Sequence, residues 1–319
     1  MRNNNDAFYY SISNVFQFAI HYKKNERDLM HFQKPLQTNK LNLSMELFLC
    51  PKRTEIPTNI KHKSHGHYKG IPWIITTNTA YGRNDGQIHF YAPVFRKFLA
   101  LRMVLIPYIK REIAKMGGIQ FIGSAFKYKG TTYILSGYPG CGKTSLMVQA
   151  LECGAQFIGD DDLIVTPDLK IQGLLNLIQL RYDTFRLTQY WQRIRWFDKI
   201  QCIYFHYLSA LTKRMITFAL EYPAETLGIQ KTTSSINHDT VFIWMSGNNH
   251  PQLISSDELI NHFSDFEKSY QKQFANLFFT DQHFQKATST MTDILKGCTL
   301  WRFPLLSKLE YIITQTRNT

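Results

Sequence analysis

The chain is poor in the residues that staple or cage a fold. Among its 319 residues stand five cysteines, Cys50, Cys141, Cys153, Cys202 and Cys298. None shares the short spacing of a metal-ligand pair, and the odd number leaves one over, which argues against a zinc site or a disulfide framework. Long apolar runs are missing too. No stretch approaches the roughly 18 uninterrupted apolar residues that a membrane-spanning helix needs. The opening Met1-Arg2-Asn3-Asn4-Asn5-Asp6 lacks the apolar segment of a signal peptide, so the expected location is the cytoplasm. Internal repeats are absent. Acids are in deficit, 24 against 37 lysines and arginines, for a formal charge of +13. Such an excess favours anionic partners, whether nucleotide, acidic peptide, nucleic acid or lipid headgroup, and bears on encounter rather than on fold. Against these shortages stands a hydrophobic content of 44%, enough for a large core.

What is present is a complete phosphate-binding loop, Gly137-Tyr138-Pro139-Gly140-Cys141-Gly142-Lys143-Thr144-Ser145. It matches G-x-x-x-x-G-K-[ST] at every fixed position. Glycines let backbone N–H groups face phosphates, a lysine neutralises them, and the hydroxyl ligates magnesium. Gly137, Gly140, Cys141, Gly142, Lys143, Thr144 and Ser145 are therefore the expected nucleotide-binding residues, with ATP and Mg2+ as cofactors. The context agrees. Thr131-Thr132-Tyr133-Ile134-Leu135-Ser136 is β-branched and apolar, as a strand feeding the loop must be. Leu146, Met147, Ala150 and Leu151 recur at helical spacing, and Gly154 supplies a stop. Gln156-Phe157-Ile158-Gly159 reads as the next strand, delivering Asp160, Asp161 and Asp162 to its carboxyl end, where open parallel sheets bind ligands. Neighbouring acids at a strand end point to opposite sides, so one can meet magnesium and the other an acceptor hydroxyl. A solvated acidic turn would give the same letters.

At these residues the chain resembles the HPr kinase/phosphorylase-like kinases, which share their nucleotide core with ATP-dependent phosphoenolpyruvate carboxykinases. In that family an Asp-Asp pair follows the loop lysine by seventeen and eighteen residues, and Lys143, Gly154, Asp160 and Asp161 keep that register. Phe121 to Tyr128, the Lys129-Gly130 turn and the strand after it are similar to the family's hairpin. Thr299 to Pro304 is similar to its closing strand. The clear likeness spans roughly Gly117 to Pro167. Two departures mark a divergent relative: Ile122 stands where members that phosphorylate HPr carry a histidine, and Gln172-Gly173-Leu174-Leu175-Asn176 replaces an acidic-arginine-glycine segment. The resemblance implies an α/β fold with a P-loop core of HPr kinase/PEP carboxykinase type. It also implies transfer of the γ-phosphoryl group of ATP to a hydroxyl, serine above all, of a peptide, small protein or small molecule. In that scheme Lys143 bridges the outer phosphates, Thr144 and Asp161 hold magnesium, and Asp160 positions or deprotonates the acceptor. Arg214 or Lys231 would balance the charge developing on the moving phosphoryl group. The alternatives are an ATP-binding regulator with weak catalysis and, further off, a nucleic-acid-binding ATPase.

The remaining landmarks are less specific. Cys141, at a helix N-terminus, is either a thiol open to alkylation or a small tolerated loop residue. Arg181, Tyr182, Phe185, Arg186, Tyr190, Trp191, Arg193, Arg195, Trp196, Phe197 and Lys199 form an arginine–aromatic segment. It reads as an amphipathic helix with rings inward, or else as a platform for bases or a peptide. Lys61 to Gly70 carries three histidines among lysines and glycines, which fits a solvated basic loop better than a metal tract. Residues 1–85 read as a mixed or mostly β accessory portion, ending at an Asn84-Asp85-Gly86 turn, and residues 86–319 as the kinase-like domain. Within the latter a basic helix is expected near Phe95 to Met116, a strand at Thr240 to Met245 and a long helix from Ser256. Oligomeric state is left open.

Overall fold

The computed structural model describes residues 5–12, 16–23, 45–57, 62–68, 71–77, 86–93, 99–175, 177–211, 219–246, 250–273, 281–304 and 307–317. It is a mixed α/β protein with several sheets. Two compact units divide it, Met1–Glu112 with Phe274–His283, and Ile113–Gln273 with Phe284–Thr319.

The first unit is built on six strands: β1 (Asn5–Ile12), β2 (Phe16–Lys23), β3 (Met45–Leu49), β4 (His62–Tyr68), β5 (Ile71–Thr77) and β6 (Gly86–Tyr91). They pair in the order β1-β2-β3-β6-β5-β4. Alternation sets the buried face: Leu47, Leu49, Ile88 and Phe90 are buried, while Glu46, Phe48, Gln87 and His89 are more open. Because β6 pairs with β3 and β5, the unit continues past the boundary expected at residue 85. Asn84 and Asp85 of the expected turn lie outside the described residues. The histidine tract is a strand and not a solvated loop. β4 pairs with β5 along its whole length, His65 and His67 are exposed, and Gly66 leaves room for the Trp73 ring. Among the described residues no three or more histidines, cysteines or acids gather as a metal-ligand group.

A π-helical stretch, Leu101–Leu105, leads into α1 (Ile106–Lys115). The expected basic helix is thus present, yet Lys110 and Arg111 are buried, not solvated. The Arg111 guanidinium donates to Glu112 at 2.7 Å and lies 4.2 Å from the Tyr108 ring centre, a pairing a buried cation requires.

The second unit holds β7 (Ile119–Ile122), β8 (Ser124–Tyr128), β9 (Thr131–Gly137), α2 (Lys143–Glu152), β10 (Gln156–Gly159), β11 (Asp162–Val165), β12 (Lys170–Gly173) and β13 (Leu177–Leu180). After them come the short α3 (Tyr182–Phe185) and α4 (Tyr190–Arg193), α5 (Trp196–Leu211), β14 (Leu220–Pro223), β15 (Ser234–Ser235), β16 (Thr240–Ser246), β17 (Gln252–Leu253) and α6 (Ser256–Gln273). α7 (Asp281–Lys296), β18 (Cys298–Pro304) and α8 (Leu309–Arg317) follow. The main sheet runs β10-β8-β9-β16-β18-β17, with β9, β16 and β18 parallel. It is mixed, not the open parallel sheet expected, because β8 lies antiparallel between β9 and β10. β10 nonetheless points the same way as β9, so both end on the same edge.

Period-two alternation divides this sheet between two helical layers. Tyr133, Leu135, Val241 and Ile243 join Leu146, Met147 and Leu151 of α2 in one buried cluster. On the other face Phe121 lies near Phe242 and edge-on to Phe263 of α6. Each fully buried side chain of this size contributes roughly 1.5–3 kcal/mol before entropy is subtracted. The helix expected from Ser256 is capped one residue earlier, where Ser255 Oγ accepts from Glu258 N at 3.2 Å.

Candidate functional site

Two long extended segments change sheets at one level, and the site lies at that crossing. Residues 119–128 supply β7 to a four-stranded sheet and β8 to the main one. Residues 156–165 do the same in reverse, as β10 and then β11. The joints face each other: Gly123 N donates to Asp161 O at 3.0 Å. Asp161 adopts a left-handed φ of 68°, which sharpens the bend and carries the aspartates past the sheet edge. A second close approach braces it, since a Cβ on Gly159 would lie 2.4 Å from Gly173 Cα.

Beside this bend, β9 runs into the glycine loop. Gly140 and Gly142 have φ of 85° and 102°, conformations that side chains resist, and Gly142 caps α2 in the left-handed region. Lys143 folds back over the loop, its Nζ donating to Gly137 O at 2.8 Å and Tyr138 O at 3.2 Å. Cys141 is buried with its Sγ 3.5 Å from Nζ, so of its two readings the small, enclosed residue fits. Ser145 Oγ pairs with Thr184 of α3 at 3.2 Å, tying the first turn of α2 to the segment after β13.

The central observation is the union of loop and bend. Thr144 Oγ1 donates to Asp160, 3.0 and 3.2 Å from its two carboxylate oxygens. Ser124 Oγ donates to Oδ1 at 2.6 Å and Gln179 N to Oδ2 at 3.1 Å. Asp160 is 3% exposed, and burial pushes its pKa up to about 6. The Ser124, Gln179 and Thr144 hydrogen bonds oppose that rise, and neighbouring Asp161 adds to it. Asp161 itself is half-buried. The carboxylate on the Thr144 hydroxyl is that of Asp160, whereas the sequence expectation grouped Thr144 with Asp161 as magnesium ligands. Asp162 turns away into the small sheet and accepts from Gln120 Nε2 at 2.7 Å.

Of the expected cations, Arg214 lies outside the described residues. Lys231 does reach the bend: its backbone bridges to Phe157, and its Nζ donates to Gly173 O at 2.8 Å. Burial lowers its pKa from the ordinary lysine value, with Glu225 pulling the other way.

Sequence reasoning missed three kinds of partner. Ser124 follows Gly123 in the hairpin and Gln179 contributes a backbone N–H, so neither carries a motif. The third is a wall beside the loop. Tyr138 is edge-on to Trp244 at 5.9 Å, and Trp244 stacks on His262 at 5.4 Å. Arg302, opposite Trp244 in the adjoining strand, pairs with Glu258 of α6. Only the pairing of β16 with β9 and β18 brings these distant residues together.

The arginine–aromatic segment is also unlike its expectation. It breaks into α3, α4 and the start of α5, with Phe185 and Tyr190 buried but Trp196 and Phe197 exposed. All five cysteines are free. No protein-family model matches the chain and no curated protein matches it, so the site stands on its own geometry.

Proposed function

We propose that the chain is an ATP- and magnesium-dependent phosphotransferase of HPr kinase-like type with a P-loop core, moving the terminal phosphoryl group to a hydroxyl of a peptide, small protein or small molecule. The observation that carries this is the hydrogen-bonded pair Thr144–Asp160 at the first turn of α2, directly beside Lys143. The residues fit the cofactors. Left-handed glycines ahead of a helix N-terminus suit phosphate oxygens, and a buried carboxylate with raised proton affinity beside a second acid is relieved by a divalent cation. Magnesium, when bound, supplies charge neutralisation across the outer phosphates.

The chain's own residues divide the remaining work. Lys143 exchanges its loop carbonyls for phosphate oxygens. Thr144 donates its hydroxyl hydrogen bond to Asp160, which would leave an oxygen lone pair free to hold magnesium. Asp160, enclosed and already accepting from three groups, serves that role better than the acceptor's. The acceptor side then falls to Asp161, more exposed and one residue further round the bend. Lys231, whose Nζ meets Gly173 O next to Gly159, is the cation assigned to that side.

A second reading, a nucleotide-binding regulator that turns over little, is favoured by position 122. Ile122 offers no ionisable group there, and its carbonyl accepts from Ser136 Oγ at 3.1 Å. Labelled γ-phosphate transfer into a size-fractionated host lysate separates the two. The kinase gives a labelled product that falls at least about 100-fold in Lys143→Ala and in Asp161→Asn. Nucleotide binding without any transfer by the unaltered chain would establish the regulator, and full transfer by Lys143→Ala would refute the kinase assignment.

A further inference from the structure

Helix α5 presents an uncovered face. Trp196, Phe197, Ile200, Tyr204, Tyr207 and Leu211 are each 54% to 82% exposed. Five of them, at 196, 200, 204, 207 and 211, recur at three- and four-residue intervals and so form one stripe. From Ile200 to Leu211 there is no aspartate, glutamate, lysine or arginine. Single exposed apolar residues are ordinary, but a continuous apolar stripe over four turns marks an interaction surface.

The charges around the stripe select its occupant. Exposed Arg186, Arg193 and Arg195 precede or open the helix, with Lys199 in its first turn. The one acid of α5, Asp198, is buried and accepts from Arg195 at 2.7 Å. A second copy docking here would meet net repulsion, at +13 per chain. Single-stranded nucleic acid needs cations spaced along its track, and none occur from Ile200 to Leu211. Tryptophan and tyrosine along an apolar stripe with cations at its N-terminal end match the boundary of a lipid bilayer with anionic headgroups.

We infer that the exposed face of α5 docks the protein on the surface of an anionic lipid membrane. The stripe enters the headgroup and acyl boundary while the flanking cations meet the headgroups. Ser145 on Thr184 ties the first turn of α2 to α3, just ahead of this face, so a docked molecule carries its glycine loop with it. The docking is independent of what the loop does.

Sedimentation of the full chain with phosphatidylcholine vesicles, with and without about a third phosphatidylserine, tests it. The chain is expected to pellet with the anionic vesicles and to bind neutral ones at least about tenfold more weakly. The double variant Ile200→Gln/Tyr204→Gln should lose about tenfold in partitioning while keeping its thermal unfolding midpoint. Brominated acyl chains should quench the bound protein's fluorescence, and Trp196→Phe should remove much of that quenching. A chain left in the supernatant with anionic vesicles overturns the inference, as does binding that the double variant leaves intact. A vesicle-indifferent dimer that dissociates in the double variant assigns the face to a second copy. Tight binding of a single-stranded oligonucleotide that the double variant loses, without vesicle binding, assigns it to nucleic acid.

Discussion

Helices α2 and α5 are both rich in apolar side chains and lie in the same unit, yet the protein treats them in opposite ways. In α2, Leu146, Met147, Val148, Ala150 and Leu151 are all buried. Longer α5 buries only Asp198 and Cys202 and turns its rings outward. Hydrophobicity alone therefore does not fix burial. What separates them is what each meets: α2 lies on the main sheet beneath the glycine loop, whereas α5 packs along one side, with His206 against Tyr182, and exposes the other.

The sharpest way to break this comparison is to empty one helix and then polarise the other. Leu146→Ala should cost about 2–5 kcal/mol in chemical unfolding, because it leaves a cavity under the loop that cannot fully collapse. A loss as small as a surface change would mean that α2 does not anchor the sheet. Next in size is Asp160. Its carboxyl ordinarily loses a proton near 3.8 and in the fold near about 6. Between those values the folded state binds more protons, so this group's contribution to stability falls as pH rises through the window, by on the order of 3 kcal/mol. Asp160→Asn should remove that slope, flattening the difference in unfolding free energy between about pH 4 and pH 7. An unchanged slope would show that Asp160 titrates normally. Smallest is Ile200→Gln on α5, which should shift unfolding by no more than about 0.5 kcal/mol. A larger loss would show that the stripe is covered within the molecule.

Legibility followed how local the cause was. The strand before the loop, the loop and helix α2 were written in contiguous letters, since β-branching, glycine and helical spacing act over a few residues. The β8–β9 hairpin fell at Lys129-Gly130 for the same reason, both residues having positive φ. That Asp160 is the acid on the Thr144 hydroxyl was not legible. It depends on a left-handed residue at the bend and on Ser124, Thr144 and Gln179 converging from three other segments. Burial of Lys110 and Arg111, and pairing of the histidine tract as β4, likewise follow from neighbours far along the chain.

By itself the sequence determined a glycine loop between a strand and a helix, an acidic cluster seventeen residues beyond its lysine, and an excess of positive charge. Only the tertiary structure decided which aspartate meets Thr144, that Lys231 is buried against Gly173, and which apolar helix exposes a face. Local propensity acts through a residue's own backbone and near neighbours, whereas burial and proton affinity are set by whatever the rest of the chain packs against it.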